Sequence, residues 1–510
     1  MLKRKNSGIL ERIGQKIPDP VVIFAFLYII VLIITAVFGG KTFTMETPDG
    51  TNVVYEIKNM LEFENTRWIF QNAILNNWLG YAGGIVGTVL IVMFGIGIAE
   101  ESGLLKTLVK KGGNSISDKF LPFFLVFLGI MSNIATDAGY IILIPLAGLL
   151  YAGIGKNPLI GIAAAFAGVS AGFSANLIPA TVVDVIIGTN AQAFAQSQNI
   201  PFVSYTGQEL NPMTMHYYFM VASTVLLVVI GGIITIKWIK PKFEKSSFAI
   251  PEDINTGDFK VTDTEKKSLW WALGGFLLSL VFTALLAFGP LRNYIDETGN
   301  KVTPFLDNII LIITMIFFIT GLFFGIACGK FKSTGDVVKS MSKQIGSMGY
   351  VIVLTFFCYN FLALLTYTNI GTYITYIGAQ FLQAIGASNS PVLLISGFII
   401  ITAVVNLFVG GLSSKWMLLG PIFIPMLYSV NSSMTPDVVA AAYRIADSST
   451  NIITPLMTYA GVVLMYIRKY KPEFTAGNLI GMMMPYSIVF LVSWTVMLMM
   501  FVLFGIPLGF

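Results

Sequence analysis

The sequence predicts an all-α polytopic membrane protein: about nine transmembrane helices plus two re-entrant helical hairpins, in two inverted-topology repeats. Three observations predict it. Of 510 residues, 55% are hydrophobic and 11% charged, where soluble domains carry about a quarter charged. Several apolar runs reach the ~20 residues that cross a ~30 Å hydrocarbon core as a helix. Two more runs, near 120–151 and 391–430, are as apolar but are interrupted midway by SNIATDAG and GGLSSKW.

The N-terminal stretch MLKRKNSGILERIGQKIPDP is basic. It lacks the short apolar core and small-residue cleavage site of a signal peptide, so residues 1–19 read as a cytoplasmic tail. The first transmembrane half is 20–239. Its spans are expected at Val21–Phe38, Gly80–Ala99, Asn157–Ile187 and Tyr217–Ile239, with a polar outer cap at Lys41–Arg67 and the first hairpin near 120–151. A hydrophilic cytoplasmic loop, 240–267, divides the chain. The second half, 268–510, has spans at Leu269–Phe288, Asn308–Ala327, Gly346–Leu365, Val438–Tyr466 and Leu479–Phe504, and the second hairpin near 391–430. The uncharged stretch Tyr367–Ser390 is read as lying along the interface.

Charge fixes an expected orientation. With the N-terminus cytoplasmic and each hairpin returning to its own side, five of the 31 Lys and Arg fall outside and two, Lys415 and Arg444, inside the membrane. The remaining 24 are cytoplasmic, a strong positive-inside bias. The hairpins then open to opposite sides, as inverted repeats require. SNIATDAGYIILIP (Ser132–Pro145) aligns with LSSKWMLLGPIFIP (Leu412–Pro425), and SANLIPAT (Ser174–Thr181) with STNIITPLMT (Ser449–Thr458), both at an offset of about 275–280 residues.

Irregular backbone survives at membrane depth only where protein or a watery cavity satisfies its N–H and C=O groups. Four interruptions, at Ser132–Gly139, Asn176–Pro179, Gly410–Ser414 and Asn451–Pro455, would bring helix ends together in mid-membrane. Helix N-termini there suit an anion, and carbonyls with Asn, Ser and Thr oxygens suit a hard cation. A possible Na⁺ position is therefore placed near Asn176 and Asn451. Intramembrane ions are functional candidates. Arg444 has the planar fork that grips a carboxylate. Asp447, three residues on, shares its helix face and is either its structural partner or a coupling group. Asp184 and Asp447 are the carboxylates that could couple a proton or cation. Trp416 is read as a stacking platform for aromatic cargo or as an interfacial anchor, Asp137 as a helix cap at the first hairpin tip, and Lys415 as snorkelling to the interface.

The net charge of +5 reflects these loops rather than nucleic-acid binding. Cys328 and Cys358 lie in apolar surroundings and are read as free thiols. One histidine, His216, excludes multi-histidine metal sites and is expected to be structural. No phosphate-binding glycine loop occurs, which favours an ion-gradient carrier over one powered by ATP in this chain. An intramembrane hydrolase would need Asp137 and Asp184 to pair, and is the remote alternative.

The stretches ERIGQKIPDPVVIFAFLYIIVL, TDAGYIILIP, AGVSAGFSANLIPATVVDVIIG, SSKWMLLGPIFIPM, YRIADSSTNIITP, RKYKP and MMPYSIVFLVSW, in this order, resemble the aminobenzoyl-glutamate transporter (AbgT) family over essentially the whole chain. The resemblance implies a homodimer in the bacterial inner membrane, moving p-aminobenzoyl-glutamate or related folate-catabolite anions on an H⁺ or Na⁺ gradient without a cofactor. In some members it implies export of sulfonamide-type antimetabolites. It implies a cavity built from Asp184, Ser413, Trp416, Pro436, Arg444, Asp447 and Pro455. A di- or tricarboxylate or amino-acid carrier on the same scaffold is the alternative.

Overall fold

A computed structural model describes residues 20–46, 52–135, 139–249, 261–295, 301–302, 304–346, 349–386, 390–407, 411–454, 457 and 459–510. Asp137 and Pro455, both singled out above, lie outside the described residues.

The first half opens with α1, Pro20–Phe38, whose proline needs no intrahelical partner in the first turn. Strands β1 (Thr42–Glu46) and β2 (Asn52–Glu56) pair antiparallel and form the expected polar cap. Helix α2 (Phe63–Asn72) runs through a wider turn into α3 (Gly80–Glu101), followed by amphipathic α4 (Leu104–Ser115). The first hairpin is α5 (Leu121–Ser132) and α6 (Ile144–Gly153). Next comes a broken span: α7 (Pro158–Phe166) continues helically to Ala171, the chain is irregular over 172–181, and α8 is Val182–Ser197. Helix α9 is Tyr217–Ile234, extended helically to Glu244.

The second half repeats the order. Helix α10 spans Asp263–Phe288, starting inside the stretch read as a loop because Thr262 and Glu265 form a capping box. Then come α11 (Ile309–Ala327), amphipathic α12 (Thr334–Gly346) and α13 (Gly349–Tyr367). Helix α14, Ile370–Ala384, is bent 75° from α13, so the uncharged Tyr367–Ser390 stretch changes direction as a helix. The second hairpin is α15 (Pro391–Asn406) and α16 (Leu412–Val430). The second broken span is α17 (Pro436–Asn451) and α18 (Ala460–Tyr470), and α19 (Ala476–Leu503) ends the helices. Hairpin followed by broken span thus occurs once in each half.

Among the described residues, five helices are long and apolar enough to cross a membrane alone, or six if the bent pair counts as one span. Four shorter apolar helices belong to the hairpins and to the first broken span, because the interruptions divide what composition alone reads as continuous runs. One correction concerns the second hairpin. GGLSSKW was expected to be the interruption, but Gly411, at φ +80°, turns the chain and Ser413–Trp416 already form the first turns of α16. Pro421 and Pro425 sit inside that helix.

Two groups of helices result. Helices α3, α10 and α11 pack together. Gly321 lets α11 approach the α3 backbone so closely that a Cβ there would lie 2.6 Å from the Ala99 Cα. Helix α10 turns Trp270, Leu277, Val281 and Leu285 outward, the surface a lipid-facing helix requires. The hairpins and broken spans form the larger core with α9 and α19. There α5 crosses the end of the α7 segment at Gly129 and Gly168, where a Cβ on Gly129 would lie 2.7 Å from the Gly168 Cα. At one edge, amphipathic α4 and α12 are tied on by Lys110–Glu265 (3.0 Å) and Lys343–Glu101 (2.5 Å).

Candidate functional site

Helix α17 is buried at every position from Pro436 to Thr450, although it carries Asp437, Arg444 and Asp447. A helix buried all round normally reads as apolar all round, so each of these charges needs an account.

Arg444 and Asp447 do not pair with each other, which corrects the local reading. The Arg444 Nη1 lies 2.7 Å from Asp184 Oδ1, across the boundary between the halves. Asp184 is prepared for this by its own helix start. It is the third helical residue of α8, and its other oxygen accepts from the Thr181 backbone N–H (3.0 Å) and hydroxyl (2.8 Å) in a capping box. The preceding residue, Ala180, adopts φ +55°, which ends the irregular segment sharply. Nη2 of Arg444 donates to the Ser174 carbonyl at 2.7 Å, in the same irregular segment. The Ser174 N–H in turn donates to Ser448 Oγ of α17 at 3.1 Å. In the middle of the first-half break, both backbone groups of Ser174 are therefore satisfied by the second-half helix, as membrane-depth backbone demands.

Asp447 pairs with Lys415, Nζ to Oδ1 at 2.5 Å, and both side chains are fully buried. Lys415 does not snorkel. The start of α16 lies deep in the fold, and the ammonium also donates to Asn406 Oδ1. Asn406 is held in register by its Nδ2, whose two N–H groups are shared among the Asp447 carbonyl (2.7 Å), Thr450 Oγ1 (2.7 Å) and Asn451 Oδ1 (3.1 Å). Asn451 Nδ2 reaches Asp447 Oδ2 at 3.3 Å. The position beside Asp447 that a coupling cation would take is filled by the Lys415 ammonium. Asn176 is buried in the first break, where its Oδ1 accepts from the Ile178 N–H at 2.9 Å and closes a local turn.

Trp416 is neither interfacial nor open. Fully buried, it donates to the Ile187 carbonyl at 3.1 Å and packs between Tyr443 and Phe194. Ser413 is half-buried at the start of α16, and Pro436 is buried in the first turn of α17. His216, expected to be purely structural, joins the site. It lies 3.2 Å from Arg444 Nη1 through Nδ1 and 2.8 Å from the Asp437 carbonyl through Nε2. The latter contact requires a proton on Nε2, which leaves Nδ1 to accept from the guanidinium. Sequence reasoning missed Asn406 and Asp437, and read Lys415 as snorkelling and His216 as structural, away from the site. A lone Asn in the apolar run IITAVVNLFV was the available signal for Asn406, and the fixed charge in SSKW for Lys415.

A chain of membrane-spanning and broken helices, built around two buried ion pairs of which one joins its halves, defines a membrane transporter. The chain belongs to the AbgT family: the model described as "AbgT putative transporter family" matches residues 5–510. It is 30% identical to the p-aminobenzoyl-glutamate transport protein of Escherichia coli K12, over 99% of this chain and 96% of that protein. Among solved structures it is similar to the Alcanivorax borkumensis YdaH transporter, at 34% identity and TM-score 0.85, covering 96% of this chain and all of that one. It is also similar to Neisseria gonorrhoeae MtrF, described with a class of antimetabolite efflux pumps, at 33% identity and TM-score 0.83, covering 96% of each chain. The chain is thus a multi-pass membrane transporter acting on small molecules, and not an enzyme.

Proposed function

We propose that this chain is an ion-gradient-driven secondary transporter of p-aminobenzoyl-glutamate or a related aromatic amino-acid anion, with sulfonamide-type antimetabolites as a further cargo class. We place it as a homodimer in the bacterial cytoplasmic membrane with its N-terminus inside. The observation that carries the reading is Arg444, a permanently charged fork buried where the two breaks meet and held by a carboxylate of the opposite half. A cargo carboxylate is chemically equivalent to Asp184 and competes with it for the guanidinium. Protonation of Asp184, or a cation at its oxygens, releases Arg444 to the cargo, so ion and cargo are coupled through one pair. Among the described residues the Arg444 Nε has no acceptor, which leaves a donor for the incoming anion. On this reading Trp416 and Tyr443 supply the aromatic wall once the hairpin carrying Trp416 moves, Ser413, Pro436 and Pro455 shape the cavity, and Asn176, Asn451 and Asp447 belong to the coupling side.

The names of the curated relative and of the second solved structure support this cargo range. In proteoliposomes, Arg444→Ala abolishes gradient-driven flux of labelled p-aminobenzoyl-glutamate. Unchanged flux overturns the assignment. Replacing Na⁺ by choline at constant pH separates the two coupling ions: loss of flux marks Na⁺, persistence marks H⁺. Stronger competition by citrate or succinate than by unlabelled p-aminobenzoyl-glutamate moves the cargo to the di- and tricarboxylates.

A further inference from the structure

We propose that Asp437 is a proton-binding site of the transport cycle, distinct from Asp184 and Asp447, and that His216 links it to Arg444. The inference rests on the reading of the chain as an ion-gradient-driven carrier.

Three carboxylates among the described residues are nine-tenths or more buried: Asp184, Asp437 and Asp447. Two are ion-paired, with Arg444 and Lys415. Asp437 is fully buried and has no Lys or Arg within salt-bridge distance among the described residues. Its Oδ1 accepts from the Thr435 hydroxyl at 2.5 Å, while Oδ2 has no hydrogen-bond partner among the described residues. Buried polar atoms are almost always bonded, and a proton is the smallest ligand that satisfies a bare carboxylate oxygen while removing its charge. The ionised form has supports of its own, the Thr435 hydroxyl and the Asp437 and Val438 N–H groups in the first turn of α17. One site can therefore hold both states.

The surrounding charges make its occupancy matter. Asp184 with Arg444 and Asp447 with Lys415 each sum to zero, and the two bonds of His216 define a neutral imidazole. The net charge of this buried core is then set by Asp437 alone: −1 when ionised, zero when protonated. Arrival of a cargo anion adds negative charge to the same core, and a proton on Asp437 Oδ2 offsets one unit of it. The facing groups are few. From the segment between α8 and α9 come His216 and Tyr205, whose half-buried phenol lies within electrostatic reach and donates to the Phe501 carbonyl at 3.3 Å. From α17 itself comes Arg444. His216 spans the gap, donating to the Asp437 carbonyl and accepting from Arg444, so a shift of the α17 first turn on protonation is felt at the guanidinium.

The test compares wild type with D437N, the neutral isostere, and D437E, which keeps a titratable group. A gradient of one pH unit drives about tenfold accumulation of a cargo that moves with one proton. In sodium-free proteoliposomes, D437N loses this accumulation of labelled p-aminobenzoyl-glutamate but still exchanges it at equal pH, and D437E recovers accumulation in part. Wild-type accumulation by D437N overturns the proposal. So does loss of both accumulation and exchange by a D437N protein that melts like wild type, which marks a structural role. A readout without cargo separates this from failure of the functional reading. The infrared carbonyl band of a buried protonated carboxylic acid, titrated through the neutral range in purified protein, is present in wild type and absent in D437N. An unchanged band in D437N overturns the proposal even if the true cargo is another anion.

Discussion

Lys415→Met leaves Asp447 as a buried carboxylate with no cation beside it. Breaking such a pair from one side costs about 3–5 kcal/mol, whereas neutralising both partners is far milder. The single variant is therefore expected to melt well below wild type in detergent, and Lys415→Met with Asp447→Asn to recover most of the loss. A double variant as unstable as the sum of the singles would mean that the two residues do not act as a pair. The sequence made Arg444, Asp447 and Asp184 stand out, because charge inside an apolar run is rare. Their partners were not legible. Spacing favoured Arg444 with Asp447, but Asp184 lies 260 positions before Arg444 in the chain, and no local rule carries that distance. His216 and Asp437 were hidden for the same reason, since their meaning comes from a contact between the segment before α9 and the start of α17.

At the scale of elements, the breaks were legible from Ser, Asn, Gly and Pro, and both hairpins and both broken spans lie where those residues cluster. The exact turning points were not. Pro421 and Pro425 mark no boundary, because neighbouring groups accommodate prolines inside a membrane helix, while Gly411, at positive φ, immediately precedes the first turn of α16. The crossing of the first hairpin over the α7 segment was equally invisible, since two glycines far apart in sequence announce nothing until they meet. Gly129→Leu pushes a side chain into the Gly168 backbone. Overpacking of this kind costs about 1–3 kcal/mol. The variant should show a lower melting temperature and an altered proteolysis pattern at the first hairpin, while Gly274→Leu, on the open face of α10, changes neither.

For the whole molecule, the fold class was the most legible property, because composition and run length constrain a membrane chain more than a soluble one. Its orientation rests on the 24 Lys and Arg assigned to one side. In a background lacking Cys328 and Cys358, a cysteine at Lys332 should react with an impermeant maleimide only from the cytoplasmic side, and one at Lys58 only from outside. The reverse pattern inverts the topology. The bond between Arg444 and Asp184 also bears on how such a chain arose. A protein assembled from two copies of one ancestral unit has, in this pair, a cation on one copy and its answering anion on the other. At the repeat offset of about 275–280 residues the counterpart of Arg444 falls at 164–169 and that of Asp184 at 459–464, so the two are not equivalent positions, and a symmetric pairing of identical units would form the bond twice. The present chain holds it once, since residues 164–169 and 459–464 carry no charge. Fragments 1–250 and 251–510 made as separate chains should be recovered only when co-expressed.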